Sequence, residues 1–266
     1  MALIDSYDIG ELHIEIHAHT SDFAQHPGVR IEVPMGYRVL GGGASVTWHG
    51  QGNLLTSIYP DGDRVWVATS KDHKEASPAS ITGHCIAGRM KDGKPIPSDN
   101  YLIVRQDSVP ADHPSTEVVL PSGWILVGGG ARANWSGYGS LLFASHPGGD
   151  NSWIASAKDH ISPEIATISA YAIGVKQSFL NRVGLVVNRK SQTSGTATAH
   201  PSVSCVLEHG FRLLSGGAKA NWTGDGSLLT ASFPQDRHTW VARSKDHFAS
   251  DPSTITAWCV GIGEKS

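Results

Sequence analysis

One three-residue motif, Lys-Asp-His, occurs three times in the chain, and its side chains could together bind a polar ligand. The copies are Lys71-Asp72-His73, Lys158-Asp159-His160 and Lys245-Asp246-His247. Lysine supplies a cationic donor, aspartate an acceptor, and histidine either one according to its tautomer. This mixture suits sugar hydroxyls or a small anion. The motif could equally be structural, with the aspartate capping the following loop and its two neighbours solvated, and both interpretations stay open.

Strand alternation predicts which way the first copy faces. Successive side chains of a strand point to opposite faces, so Asp72 shares a face with Trp66, while Lys71 and His73 share the other. In the third copy of this strand the second face carries Arg243, which indicates that it is the wetter one. We therefore expect Lys71 and His73 to project together toward solvent or a cleft.

Two further repeated positions could belong to the same ligand sites. An aromatic position in the last strand of each repeat holds His84, Tyr171 and Trp258. A ring on a strand can stack on a sugar, although ordinary sheet packing also explains it. A His-Pro pair recurs at His26, His113 and His200. These histidines could contact a ligand or be buried against the backbone.

A histidine-rich strand near the start of the chain has no counterpart in the other repeats. In HIEIHAH, one face carries His13, Glu15, His17 and His19. Imidazoles on one strand face can converge on a divalent transition metal, with Glu15 as a general base. The alternative is a polar edge strand that discourages aggregation. Apart from this possible metal, we expect no cofactor.

These motifs lie in three tandem repeats of 87 residues. Trp48, Trp135 and Trp222 are 87 residues apart, and the His-Pro and Lys-Asp-His motifs keep the same interval. The repeats span approximately 12–98, 99–185 and 186–266, and we predict that they form a single domain, 1–266. No long polar linker separates them.

Each repeat has the pattern of short antiparallel strands. The first predicts strands over 13–19, 29–33, 37–46, 53–58, 65–70 and 80–87, separated by Gly, Pro, Asp and Ser clusters. No segment keeps a helical apolar period, so helix should be scarce. The fold class is therefore all-β, in a pseudo-threefold, β-prism-like arrangement. The alternative is three β-sandwich modules side by side.

The repeated motifs G-G-G-A, W-x-G-x-G, L-L and W-x-A resemble tandem β-repeats of bacterial and fungal proteins of unassigned function. The resemblance covers most of each repeat, from Gly36 to Gly88 in the first. The threefold plan also resembles β-prism proteins such as vitelline-membrane outer-layer protein and the jacalin-like lectins. That second likeness concerns architecture alone, and it implies no residue-level binding site.

Composition narrows the possible functions. A formal net charge of −3 argues against a general nucleic-acid binder, and no apolar run approaches the roughly 18 residues that would predict membrane insertion. The first residues lack the pattern of a signal peptide, so we expect a cytoplasmic protein, with non-classical export left open.

Three identical motifs favour a non-catalytic, lectin-like protein that binds a glycan or small polar ligand at three similar sites. The alternatives are a metal-assisted hydrolase or lyase in the first repeat, and a structural protein. The sequence leaves open whether the chain is an enzyme, and it favours a protein that is not one. The sequence does not indicate an oligomeric state.

Overall fold

The computed structural model describes residues 1–265, and its fold is the all-β one that the sequence predicts. Three antiparallel sheets contain nearly all of the regular structure. The first repeat comprises β2 Leu12–Thr20, β3 Gly28–Glu32, β4 Arg38–Thr47, β5 Asn53–Pro60, β6 Val65–Asp72 and β7 Ser80–Met90. The second comprises β8 Tyr101–Asp107, β9 Ser115–Val119, β10 Trp124–Asn134, β11 Leu141–Pro147, β12 Ser152–Lys158 and β13 Thr167–Lys176. The third comprises β14 Leu185–Thr193, β15 Ser202–Val206, β16 Arg212–Asn221, β17 Leu228–Pro234, β18 Thr239–Lys245 and β19 Thr254–Glu264.

Each repeat divides into two three-stranded half-sheets that pack face to face. In the first repeat, β2, β7 and β4 form the first half-sheet, and β3, β6 and β5 form the second. A fully buried tryptophan from the second half-sheet fills the space between them in every repeat, as Trp66, Trp153 and Trp240. Each repeat therefore has the sandwich core that the alternative of three modules predicts.

The sheets continue from one repeat into the next. The second half-sheet of the first repeat joins the first half-sheet of the second through β5 and β10, where Ile58 pairs with Ala131 and Ser57 with Arg132. Strands β11 and β16 join the second repeat to the third, and β17 and β4 join the third back to the first. Because this series closes on itself, the three repeats surround a pseudo-threefold axis.

Glycine makes the close approaches at these places possible. A Cβ on Gly217 would lie 2.6 Å from the Cα of His146, across the junction between the second and third repeats. A Cβ on Gly42 would lie 2.6 Å from Trp66 Cε2, inside the first sandwich. Real Cβ atoms do not come this close, so only glycine fits. The paired glycines of the G-G motif therefore allow close packing at these places.

Three elements of the described residues lie outside the predicted pattern. An additional strand, β1 Ala2–Ile9, extends the first sheet beside β2, and a short helix, α1 Gln177–Arg182, connects the second and third repeats. A single 3₁₀ turn, Ser98–Asn100, precedes β8. Among residues 1–265, no helix is long and apolar enough to cross a membrane.

Candidate functional site at the repeat junctions

The lysine of each Lys-Asp-His motif binds the neighbouring repeat. Lys71 Nζ donates hydrogen bonds to the carbonyl oxygens of Gly137 and Gly139, both at 2.8 Å. The same ammonium lies 3.9 Å from the centre of the Trp135 ring, which is a cation–π contact. The Trp-x-Gly-x-Gly motif of one repeat thus receives the lysine of the repeat before it. We call this set of contacts the lysine clasp.

The lysine clasp occurs at all three junctions. Its other copies are Lys158 with Gly224, Gly226 and Trp222, and Lys245 with Gly50, Gln51 and Trp48. Sequence reasoning missed this pairing, although a signal existed. The signal is that the Lys-Asp-His and Trp-x-Gly-x-Gly motifs both recur in every repeat at the same 87-residue interval.

The expectation that Lys71 and His73 face solvent or a cleft is wrong. Lys71 is 1% exposed and His73 is 0% exposed. Both side chains do lie on the face that alternation predicts, but the loop at Gly137–Gly139 of the next repeat covers it. Burial lowers the pKa of Lys71 to about 8, with neighbouring carboxylates acting in the opposite direction.

The aspartate of each motif closes the loop that follows it. Asp72 Oδ2 accepts a hydrogen bond from the Ser77 backbone N–H at 3.2 Å, and Asp159 Oδ2 accepts one from Glu164 at 2.6 Å. Asp246 Oδ2 accepts the equivalent bond from the Asp251 backbone N–H at 2.9 Å. This geometry supports the loop-cap interpretation of the aspartate.

The histidines of the three motifs converge on the pseudo-threefold axis. The ring centres of His73, His160 and His247 lie 5.0 to 5.2 Å apart, and each side chain is buried. Burial lowers the pKa of His73 and His160 below the usual 6.5, and it lowers that of His247 to about 3. These imidazoles are therefore neutral at pH 7.

The histidines of the His-Pro pairs lie on the outside of the junctions. His26 Nε2 is 3.1 Å from Asp72 Oδ1, and the His26 ring centre is 5.6 Å from that of Trp135. His113 and His200 contact Trp222 and Trp48 in the same way. The His26 side chain is 51% exposed, so it is available to a ligand.

An open cleft of about 500 Å³ lies beside His26, between the first and second repeats. Its walls combine aromatic, cationic and hydroxyl-bearing side chains. The lining residues are His26, Ser57, Tyr59, Thr69, Ser70, Arg132, Ala133, Asn134 and Trp135. We call it the junction cleft.

The aromatic position of the last strand lies close to the same junctions. Tyr171 stacks on Tyr59 with ring centres 5.1 Å apart. Trp258 stacks on His146 at 4.2 Å, and His84 stacks on Phe233 at 5.2 Å. Each aromatic pair joins two repeats, so the position contributes at least to packing between repeats.

The lowered pKa of one stacked histidine, His146, predicts that the protein loses stability in acid. Burial lowers the pKa of His146 to about 4; the nearby Lys219 also lowers it, whereas the carbonyl of Pro147 and the Glu117 carboxylate raise it. Because the folded pKa lies below the unfolded value near 6.5, the unfolded chain binds a proton first as the pH falls. The free energy of unfolding should therefore decrease between about pH 6.5 and pH 4.

The substitution His146→Phe should reduce this loss, because phenylalanine keeps the stack on Trp258 and does not titrate. Phe233 occupies the equivalent position in the third repeat, so the fold accepts this side chain. Urea denaturation at pH 7.0 and pH 4.5 measures the difference. An equal loss of stability in both proteins would exclude His146 as a source.

The histidine-rich strand β2 forms a network of polar contacts. Glu15 Oε2 lies 2.9 Å from His17 Nε2, and Glu15 Oε1 lies 3.4 Å from His13 Nε2. Glu15 Oε1 also accepts a hydrogen bond from the Tyr37 hydroxyl at 2.6 Å. His19 instead contacts the amino group of Met1. The structure therefore brings His13, Glu15 and His17 together, with Glu15 held by three neighbours.

The junction cleft and the axial histidines are the places that we consider for ligand binding. No known protein-family model matches the chain, and no curated protein is significantly similar to it.

Proposed function

We propose that this chain is a non-catalytic carbohydrate-binding protein, with one site in the junction cleft between the first and second repeats and a related site at each of the other two junctions. The observation that carries the proposal is the junction cleft between the first and second repeats, with its volume of about 500 Å³. It is open to solvent and large enough for a sugar unit. The threefold plan, which resembles the jacalin-like lectins in architecture, agrees with this proposal but assigns no residue.

The lining of the junction cleft suits sugar chemistry. The rings of Trp135 and Tyr59 line the cleft. Lys71 covers one face of the first and Tyr171 covers one face of the second, so a pyranose would contact the ring surface that is left open to the cleft.

Arg132 supplies hydrogen-bond donors, and His26 supplies a donor or an acceptor. The Asn134 amide nitrogen already donates to Thr167 and Ser169, so Asn134 offers its oxygen as an acceptor. Sugars need both kinds of contact. The lysine and histidine of the Lys-Asp-His motif do not line this cleft, so in this proposal they support the site rather than contact the ligand.

The three junctions keep the same chemistry with different side chains. The aromatic residue at the position of Tyr59 becomes His146 and Phe233. Arg132 and Lys219 share one repeat position, which holds Ser45 in the first repeat; at the third junction Arg243, from the position of Thr69, lies over the Phe233 ring instead. We therefore propose three related sites of unequal affinity, whose linkage in one chain raises the avidity for a branched or repeated glycan.

A glycan array followed by calorimetry with the best ligand tests the proposal. The variant Arg132→Ala should weaken binding at the first junction by about 10- to 100-fold, because hydrogen bonds from charged groups contribute about 1.5–3 kcal/mol. The matched control is Arg30→Ala, since Arg30 is also exposed and pairs with Asp61 outside the cleft. The proposal is contradicted if no glycan binds, or if both variants bind with unchanged affinity and stoichiometry.

A further inference from the structure

The three histidines on the pseudo-threefold axis are buried without a complete set of hydrogen-bond partners. His73 and His160 are 0% exposed and His247 is 1% exposed. The Nε2 atom of each has no hydrogen-bond partner within the described part of the chain. A buried polar atom without a partner costs about 1–3 kcal/mol, so three of them at one point call for an explanation.

The partners of Nδ1 determine what Nε2 can do. His73 Nδ1 lies 2.7 Å from the carbonyl oxygen of Tyr138, and His160 Nδ1 lies 2.7 Å from that of Asp225. A carbonyl oxygen only accepts, so Nδ1 carries the proton in both rings. The Nε2 atom of a neutral imidazole then holds a free lone pair. Metal-binding histidines show the same arrangement, in which the second nitrogen donates to a carbonyl or carboxylate.

The three imidazoles are close enough to share one ion. One nitrogen from each ring lies within 4.8 Å of the other two, and these rings are the only such group of three or more ligand side chains in residues 1–265. With the nitrogens 4.8 Å apart, an ion at their centre would lie about 2.8 Å from each of them. A zinc–imidazole bond is about 2.0–2.1 Å long, so each ring has to move inward by about 0.7 Å to bind zinc.

The surroundings favour a dry site. Leu54, Leu141 and Leu228 form a buried apolar cluster of their own. Each leucine pairs with the lysine of a Lys-Asp-His motif on the neighbouring strand. That lysine precedes the axial histidine by two residues, so both point to the same face of the strand. The leucine cluster therefore lies next to the histidines along the axis. The lysine charges oppose a cation, but carbonyl oxygens and a tryptophan ring surround each of them.

We propose that His73, His160 and His247 bind one divalent transition-metal ion per chain, of the zinc class, on the pseudo-threefold axis. Three neutral nitrogen ligands suit zinc, nickel or copper, whereas calcium and magnesium need oxygen ligands. The ion would connect all three repeats at one point. This site is independent of the proposed carbohydrate sites and of the histidine-rich strand β2.

Zinc titration of the intact chain tests the proposal. Protein stripped with a chelator should bind one zinc ion per chain by calorimetry and by elemental analysis after dialysis. Zinc should also raise the melting temperature, because a ligand that binds only the folded state stabilises it. Cobalt(II), used in place of zinc, should give visible absorption bands that the metal-free protein lacks.

Two matched variants locate the ion. His160→Gln keeps most of the side-chain volume but lacks the imidazole, and it should abolish both zinc binding and the shift in melting temperature. His17→Gln alters the β2 cluster and should leave both unchanged. The proposal is overturned if His17→Gln abolishes binding while His160→Gln does not. It is also overturned if the unaltered protein binds no zinc and shows no cobalt absorption, a result that does not depend on any variant folding.

Discussion

Replacing Lys158 by methionine should lower the free energy of unfolding by about 3 kcal/mol, although methionine fills nearly the same volume. The ammonium of Lys158 donates hydrogen bonds to the carbonyl oxygens of Gly224 at 3.0 Å and Gly226 at 2.6 Å. It also lies 3.9 Å from the centre of the Trp222 ring. Hydrogen bonds from charged groups contribute about 1.5–3 kcal/mol each, and a desolvated cation–π contact about 2 kcal/mol.

The expected loss is smaller than the sum of these contacts. Burial of the ammonium is itself unfavourable, and it lowers the pKa of Lys158 to about 8. Methionine removes that cost together with the contacts, while the carbonyl of the buried Gly226 loses its partner. The net effect is therefore a moderate loss rather than complete unfolding.

Urea denaturation followed by fluorescence measures the effect. The control is Lys94→Met, because the Lys94 side chain is 79% exposed and should change stability by less than about 0.5 kcal/mol. If Lys158→Met is as stable as the control, the lysine clasp does not hold the repeats together. If it unfolds with a second transition, the junctions unfold separately from the sandwiches.

The sequence predicts the elements of this fold better than their partners. Repetition, alternation and turn residues locate the strands of the first repeat to within a few residues, because these signals are local. No local signal shows that β5, which pairs with β6 of its own repeat, also pairs with β10 of the next repeat. The contact depends on shape, namely on where glycines allow two half-sheets to come close.

The Lys-Asp-His motif shows the same limit. Alternation correctly places Lys71 and His73 on one face, but it says nothing about what covers that face. The covering loop lies 66 to 68 residues further along the chain, in the next repeat. A buried lysine is uncommon, so an exposed face is the natural expectation from one strand alone. Convergence of three histidines on an axis likewise follows only from the closed ring of repeats.

Replacing Gly42 by alanine should lower the free energy of unfolding by about 3 kcal/mol or more. A Cβ at this position would lie 2.6 Å from Trp66 Cε2 and 2.7 Å from Trp66 Cδ2, and it would overlap the carbonyl oxygen of His84. Overpacking of a core costs about 1–3 kcal/mol when side chains can move aside. Here Trp66 is fully buried and the carbonyl belongs to the paired strand, so neither neighbour can relax freely.

The matched control is Gly195→Ala, because a Cβ on Gly195 meets no atom within 4 Å. Neither glycine has a positive φ, so the two variants differ in space and not in backbone strain. Thermal and urea denaturation of both proteins measure the difference. In a protein that already carries Trp66→Leu, Gly42→Ala should lower the free energy of unfolding by less than it does alone. The leucine removes the contacts with the tryptophan ring, but the contact with the His84 carbonyl stays. Equal stability of Gly42→Ala and Gly195→Ala would mean that the sandwich core is looser than its geometry indicates, and that the repeated glycines have another cause.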